Sequence, residues 1–572
     1  MSVDEKTSKT DSNSEPERNG SIVERGGEIV KEDKAKDEGG DTEESADDRL
    51  DHIAEDEFPS MIRLMAILVA LVFSMFLASL DLTIISTAIP KITNQFHSLE
   101  DVGWYGSAMF FPVAATQSMW GKAFKYFPMK YMYLLSIFVF ELGSLICATA
   151  PNSNAFIAGR AITGAGCAGT FAGSYVIIAF SSRPNIRPAL TSILSATFAL
   201  AAVVGPLIGG AFTQRISWRW CFYINLPFGG VAAAAIFFAF RPPRSAKPIP
   251  ATVREKILQM DLIGVTAICG AVVCFVFAMQ WGGVAKSWNN SDVIGTLVAF
   301  GLLIIIFVVD QWYQRDRALV MTSFLKNRTL LVGSVFSFFI AGGFYVALFY
   351  LPIYFQAVKG ADAVQSGIRL IPLILGMTLI QIVVGVMITV TGIFNPYLTI
   401  GGALTAVGSG LLMMLDVDTG SPKWIGYQIV AGAGVGFCLS VPIIVSQRVV
   451  KPQDMSTATA IILFFQSIGG ALVISAAQSI FQNKLVDYLI EFAPKVNPLA
   501  VVAAGATDIA GTFPEAVIPG ILKAYVHALR ITYAIAIPFA GVAAIVSLFM
   551  PWFKYTQPEA QKSKPEGEDL EA

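Results

Sequence analysis

The chain has 572 residues, of which 54% are apolar and 14% charged, with a net charge of −2. Ordinary soluble domains carry roughly 25% charged residues, so a conventional soluble globule is excluded, and no basic segment offers a partner surface for nucleic acid. The 6 cysteines lie in apolar stretches without ligand spacing and the 3 histidines are scattered, so no metal or haem cofactor is expected.

Residues 1–59 are rich in Glu, Asp, Lys, Ser and Gly and nearly free of aromatics. Such a segment buries too little apolar surface to fold and is expected to be a disordered tail. It has no apolar h-region, so the first span itself is expected to direct insertion. From there the apolar runs give fourteen predicted spans: 64–89, 104–121, 131–150, 155–180, 189–212, 221–240, 261–281, 293–313, 330–356, 366–389, 397–415, 425–447, 456–480 and 528–552. A span needs about 20 apolar residues. The runs are too long and too continuously apolar for barrel strands, so the fold class is an all-α polytopic membrane protein. A second polar tail follows at 556–572.

Lys and Arg set the orientation. With the N-terminus cytoplasmic, the inner loops hold Lys122, Lys125, Lys130, Arg183, Arg187, Arg241, Arg244, Arg315, Arg317 and Arg448 among others, and outnumber the basic residues of the outer loops. Both termini are therefore expected in the cytoplasm. Of the sequons at Asn19, Asn289 and Asn327, only Asn289 then falls outside, where it is a candidate glycosylation site.

Charges inside spans are the candidates for chemistry. Asp81 lies in the first span, about 25 Å from Leu64 at 1.5 Å per residue. A charge at the centre of a helix in hydrocarbon costs at least ~2.5 kcal/mol. One reading of Asp81 is an interfacial acid hydrated from outside; the other is a carboxylate that loads and releases a proton. Arg160, in the fourth span, falls at comparable depth, where an unpaired arginine is costly. Direct contact with Asp81 is one expectation, and snorkelling to the outer surface the other. Glu141 sits near the middle of the third span, either coupling protons or bonded as a neutral acid to a neighbouring backbone group or hydroxyl. In the fifth span Gly205, Pro206, Gly209 and Gly210 combine a kink signal with a bare helix face, suited to rocking or to static packing. Gln117, Tyr350, Tyr354, Gln356, Phe465 and Gln466 offer amide and ring surface for a cavity that would take bulky, mostly apolar solutes.

These segments together resemble the major facilitator superfamily, in its fourteen-span drug:proton antiporter branch of the fungal type. The likeness rests on Leu80-Asp81-Leu82-Thr83-Ile84 with Ala88-Ile89-Pro90, on Arg160 with Gly164 and Gly166, and on Gly205-Pro206 with Gly209-Gly210. It rests further on the run from Trp218 through Asn225 to Pro227, and on Tyr350-Leu351-Pro352-Ile353-Tyr354-Phe355-Gln356 with Ser366-Gly367. One departure stands out. The family's second-to-third-span loop has an Asp four residues after its Gly, whereas Lys125 stands there after Gly121. A gate clasped by that aspartate cannot operate here.

The resemblance implies a major facilitator fold with alternating access. Its expected parts are a six-helix bundle over 60–240, a linker and two extra spans over 241–329, and a second six-helix bundle over 330–555. It implies a proton-coupled exporter of drugs, toxins or secondary metabolites, functional as a monomer in the plasma membrane or the vacuolar membrane. Asp81 is the first choice for the proton site, with Arg160 as modulator and Glu141 second, and the proton is the coupling ion in place of any cofactor. The rival is transport of a charged solute, such as basic amino acids or iron–siderophore complexes, on the same fold. An enzyme would need a catalytic cluster in facing spans, and no such cluster is seen.

Overall fold

A computed structural model describes residues 58–96, 101–504 and 509–555. The two predicted tails lie outside the described residues except for Phe58 and Pro59. Backbone amides in hydrocarbon have no water to bond, so each apolar run closes its own hydrogen bonds as a helix. Fourteen long helices result: α1 (Met61–Ile84), α2 (Val102–Tyr126), α3 (Met129–Thr149), α4 (Ser153–Ser181), α5 (Arg187–Arg215), α6 (Asn225–Ala239), α7 (Leu262–Trp281), α8 (Ser291–Gln314), α9 (Arg328–Ile353), α10 (Ile371–Thr391), α11 (Asn395–Met413), α12 (Ser421–Cys438), α13 (Met455–Phe492) and α14 (Ile518–Ser547). Thirteen of these, α6 being counted with the short turn Trp220–Tyr223 before it, are long and apolar enough to cross a membrane. The exception is α2, which is long enough but carries Gly, Ser, Thr, Gln and Lys along its length.

Local chemistry sets the ends. The α2 helix stops at Phe127, which is extended because Pro128 follows. The side chains of Asn152, Asp261, Asn290 and Asn327 cap the starts of α4, α7, α8 and α9 by accepting from backbone N–H groups. Three ends differ from expectation. The first span ends as an α-helix at Ile84 and passes through a 3₁₀ turn into Ile89–Phe96, since Pro90 cannot continue the ladder. The twelfth breaks after Cys438 and resumes at Val441–Arg448, with Pro442 in its first turn. The thirteenth does not stop near 480 but runs 38 residues to Phe492, and α14 begins ten residues before the predicted 528. The two extensions support each other: Leu485 and Leu489 are buried, and the His527 ring lies 5.3 Å from Tyr488 and 4.9 Å from Phe492.

Helices α1–α6 pack among themselves, as do α9–α14, and the two sets meet along two seams, α5 on α10 and α2 on α13. Close approach comes from missing side chains: a Cβ on Gly164 would strike the Met109 carbonyl, and one on Gly166 the Phe140 backbone, so α4 seats α2 and α3 directly. Helices α7 and α8 pair with each other, and α7 rests on α2 and α13. Few residues of α8 are fully buried, and the face turned away from α7 is left to lipid.

Candidate functional site

Asp81 faces the interior of the first helix set, at a point where α1, α4 and α6 converge. Its Oδ2 is ion-paired with Arg160 Nη1, and both side chains are 0% exposed. Arg160 Nε also donates to the Tyr105 carbonyl at 3.2 Å, and both terminal nitrogens reach the Asp81 backbone oxygen at 3.3 Å. The other carboxylate oxygen, Oδ1, accepts from Asn225 Nδ2 at 2.9 Å, and the same nitrogen donates to Ser144 Oγ at 3.1 Å. Neither the hydrated acid nor the snorkelling arginine is present. The pair is dry, and each charge offsets what burial costs the other.

Glu141 approaches the same layer from α3. Both its carboxyl oxygens are buried without a hydrogen-bond partner, so the expected bond to a backbone group or hydroxyl is not made. Its side chain occupies the space where Gly229 of α6 lacks a Cβ. Ser144, one turn along α3, and Asn225, one turn back along α6, connect that position to Asp81.

The glycines of α5 lie on the other side of Asp81. A Cβ on Gly205 would strike Thr83 Oγ1, and one on Gly209 would crowd Ile84 and Thr87. Thr83 Oγ1 donates to the Ala201 carbonyl at 3.2 Å across the same contact. Pro206 sits within a continuous helix and meets Gly367, while Gly210 meets only Val364. The motif thus joins α1 to α5 immediately beside the ion pair.

A narrow cavity of about 70 Å³ lies between the two helix sets. It is lined by aliphatic side chains together with rings and amides, among them Phe198, Phe344, Tyr345, Tyr175, Gln117 and Gln466, and by no Asp, Glu, Lys, Arg or His. Gln117 Nε2 donates to the Ala168 carbonyl at 3.2 Å while its Oε1 has no partner. Four predicted cavity residues lie elsewhere. Tyr350 packs on Phe481, with ring centres 5.4 Å apart. The Tyr354 hydroxyl donates to the Asp416 carbonyl at 2.9 Å. Gln356 donates to Ser366, and Phe465 packs against Phe464 beside α7. Tyr350 and Tyr345 are five residues apart, about 140° round α9, so only one of them can face the seam. Met75 and Leu82 bring α1 to the cavity wall, with Asp81 turned away.

At the side where α1 begins and α14 ends, the seam is closed. Lys125 of α2 pairs with Asp454, just before α13, at 2.7 Å. Gln447 Nε2 donates to Tyr175 O at 3.4 Å and to Thr459 Oγ1 at 3.2 Å. The buried Lys122 ammonium donates to the Arg317 carbonyl, and Ser118 Oγ to the Leu319 carbonyl at 2.5 Å, so the α8–α9 connection is tied to α2. Asn289 is exposed in the α7–α8 turn. Among the described residues no cluster of His, Cys, Asp or Glu is grouped to hold a metal ion.

Two packed helix sets around a central cavity, with a buried ion pair beside it, have the architecture of a secondary transporter. The chain belongs to the Major Facilitator Superfamily, whose family description matches residues 71–474. It is 45% identical over 510 residues to an MFS-type transporter, GME11371, of Pestalotiopsis microspora, covering 89% of this chain and 93% of the relative. It is 44% identical to a probable efflux pump, gsfJ, of Penicillium aethiopicum, covering 89% and 91%. The proton:xylose symporter XylE shares the fold, with a TM-score of 0.54 at 14% identity over 87% of this chain and 98% of that one. The relatives are transporters and efflux pumps, and the role of this chain is transport.

Proposed function

We propose that this transporter exports bulky aromatic or lipophilic molecules in exchange for protons, with Asp81 as the proton site and Arg160 as the group that tunes it. The observation that carries the reading is the separation of the two sites: the ionisable pair is sealed behind α1, while the cavity in front of α1 is aromatic and uncharged. Proton and substrate therefore do not compete for one carboxylate. Protonation removes the counter-charge of Arg160 and loosens the hold of α4 on α1. Because α1 is seated on α5 through Gly205 and Gly209, the change passes to the seam, and Leu82 carries it to the cavity wall. Asp81 takes up its proton when the cavity opens outward and substrate leaves, and gives it up when the cavity opens inward.

In this reading residues 60–240 and 330–555 rock against each other as two six-helix bundles, with α7 and α8 as the added pair. Both termini lie in the cytoplasm, as the basic loops require, in the plasma membrane and with the monomer as the working unit. Lys125–Asp454 takes the place of the family's aspartate clasp as an inner latch. The printed names of the relatives support export, and the uncharged cavity argues against a polycationic solute. The test is accumulation of a panel of lipophilic drugs and toxins in inside-out vesicles under an imposed pH gradient. Gradient-dependent uptake supports proton-coupled export; accumulation indifferent to the gradient contradicts it.

A further inference from the structure

The run from Trp218 to Pro227 carries a buried asparagine, Asn225. Asn225 is 0% exposed, at the start of α6. Its Nδ2 donates to Asp81 Oδ1 at 2.9 Å and to Ser144 Oγ at 3.1 Å, while its Oδ1 is buried with no hydrogen-bond partner. A buried amide usually satisfies both ends, and an orphaned carbonyl is costly. The donor end must face Asp81 as long as Asp81 is ionised, because a carboxylate only accepts. Oδ2 is held by the charged Arg160, which leaves Oδ1, held only by the neutral amide, as the oxygen to take a proton. A carboxyl protonated there needs an acceptor, and the orphaned carbonyl of Asn225 becomes one by a half-turn of the amide.

We propose that Asn225 is the reader of the Asp81 proton: its amide donates to the carboxylate, turns over on protonation, and accepts from the resulting acid. This makes Asn225 a positioning residue, and the inference rests on Asp81 being the titrating group. The turnover exchanges the two bonds donated by Nδ2 for two accepted by Oδ1, one from the new acid O–H and one from the Ser144 hydroxyl, which turns to donate, with the proton covalently on Asp81 throughout. It also transmits: α6 meets α3 at Ser144 and again at Gly229, where Glu141 lies, so the orientation of the amide is felt on α3. The other ionisable groups around Asp81 are Arg160 and Cys167 on α4, Glu141 and Cys147 on α3, Cys221 before α6 and Tyr105 on α2. Where α5 meets α1 beside it, the contacts are with Gly205 and Gly209.

The test needs no substrate. Purified protein in lipid is titrated while infrared spectroscopy follows the carboxylic-acid band that Asp81→Asn removes. Bonds to a charged acceptor are stronger than bonds between neutral groups. Asn225→Leu therefore weakens the ionised state more and moves the midpoint about one pH unit to the alkaline side. Asn225→Asp, which sets a second carboxylate opposite the first, moves it further in the same direction. Unchanged midpoints in both variants overturn the inference and leave Asp81 as the proton site. A spectrum in which Asp81→Asn removes no band contradicts the proton site itself. If neither variant folds, native protein with asparagine side-chain carbonyls labelled by ¹³C decides. Acidification shifts one asparagine carbonyl to its hydrogen-bonded frequency, and this change is absent in Asp81→Asn; no such shift overturns the proposal.

Discussion

Replacing Arg160 with Met tests the ion pair at its centre. Met fills much of the same space but leaves the Asp81 carboxylate with Asn225 as its one remaining side-chain donor. It also empties the bond to the Tyr105 carbonyl. Removing one partner of a fully buried pair costs about 3–5 kcal/mol, because the other charge stays behind uncompensated. With both side chains 0% exposed, no solvent screening reduces that figure. Exchanging both charges together is close to neutral by the same principle, so Asp81→Asn with Arg160→Met is expected to recover most of the loss. The coupling between the two changes should exceed about 2 kcal/mol. The Arg160→Met defect should also shrink as pH falls, because the orphaned carboxylate then takes a proton and ceases to be a buried charge. The assay is thermal unfolding of the four proteins in one detergent, followed by size-exclusion fluorescence and repeated at acid and neutral pH. Additive losses, or a defect that does not change with pH, would refute the reasoning.

Three further outcomes follow from the geometry. Gly205→Ala pushes a methyl into Thr83 and should cut transport by about 5-fold to 150-fold through an overpacking cost of roughly 1–3 kcal/mol. Gly210→Ala meets only Val364 at 3.3 Å and should transport nearly as wild type; equal effects in a vesicle flux assay would show that the seam does not depend on contact with α1. Lys125→Ala should favour opening on the terminal side by up to about 1 kcal/mol, as expected of a partly exposed pair. Exchanging the charges, Lys125→Asp with Asp454→Lys, should restore the wild-type response to a cysteine-labelling probe placed in the cavity, and failure to restore it would remove the latch. Asn289→Gln should abolish any glycan-dependent gel shift in a eukaryotic host, while Asn327→Gln should leave it unchanged, because Asn327 falls on the cytoplasmic side in the orientation set by the basic loops. A glycan that survives Asn289→Gln would reverse the orientation.

The helices were legible because apolar run length is a direct physical requirement of the bilayer. The same criterion missed the end of α13 and the start of α14, where Tyr488, Phe492 and His527 hold two helices together by mutual packing beyond the apolar runs. Counting 1.5 Å per residue placed Asp81 and Arg160 at one depth, and their contact was readable as the cheapest way to bury both. Asn225 has no signal of its own beyond its place in a motif, since an amide at the edge of an apolar run says nothing until its neighbours are known. The cavity was half legible. Gln117 and Gln466 line it, but on α9 the choice between Tyr345 and Tyr350 depends on which way the helix is turned. Neither composition nor spacing fixes that rotation, because α9 is apolar on every side. Lys125 stood out in sequence as a missing acid. Its partner Asp454, more than 300 residues away, supplies the charge from the opposite helix set.

The central claim is that proton and substrate act through different sites on the two faces of α1. Its most direct test compares wild type with Asp81→Asn in oriented proteoliposomes, measuring gradient-driven accumulation and gradient-free exchange of the same radiolabelled drug. The account predicts that Asp81→Asn loses accumulation and still exchanges substrate across the membrane. Accumulation by Asp81→Asn at the wild-type level would contradict it.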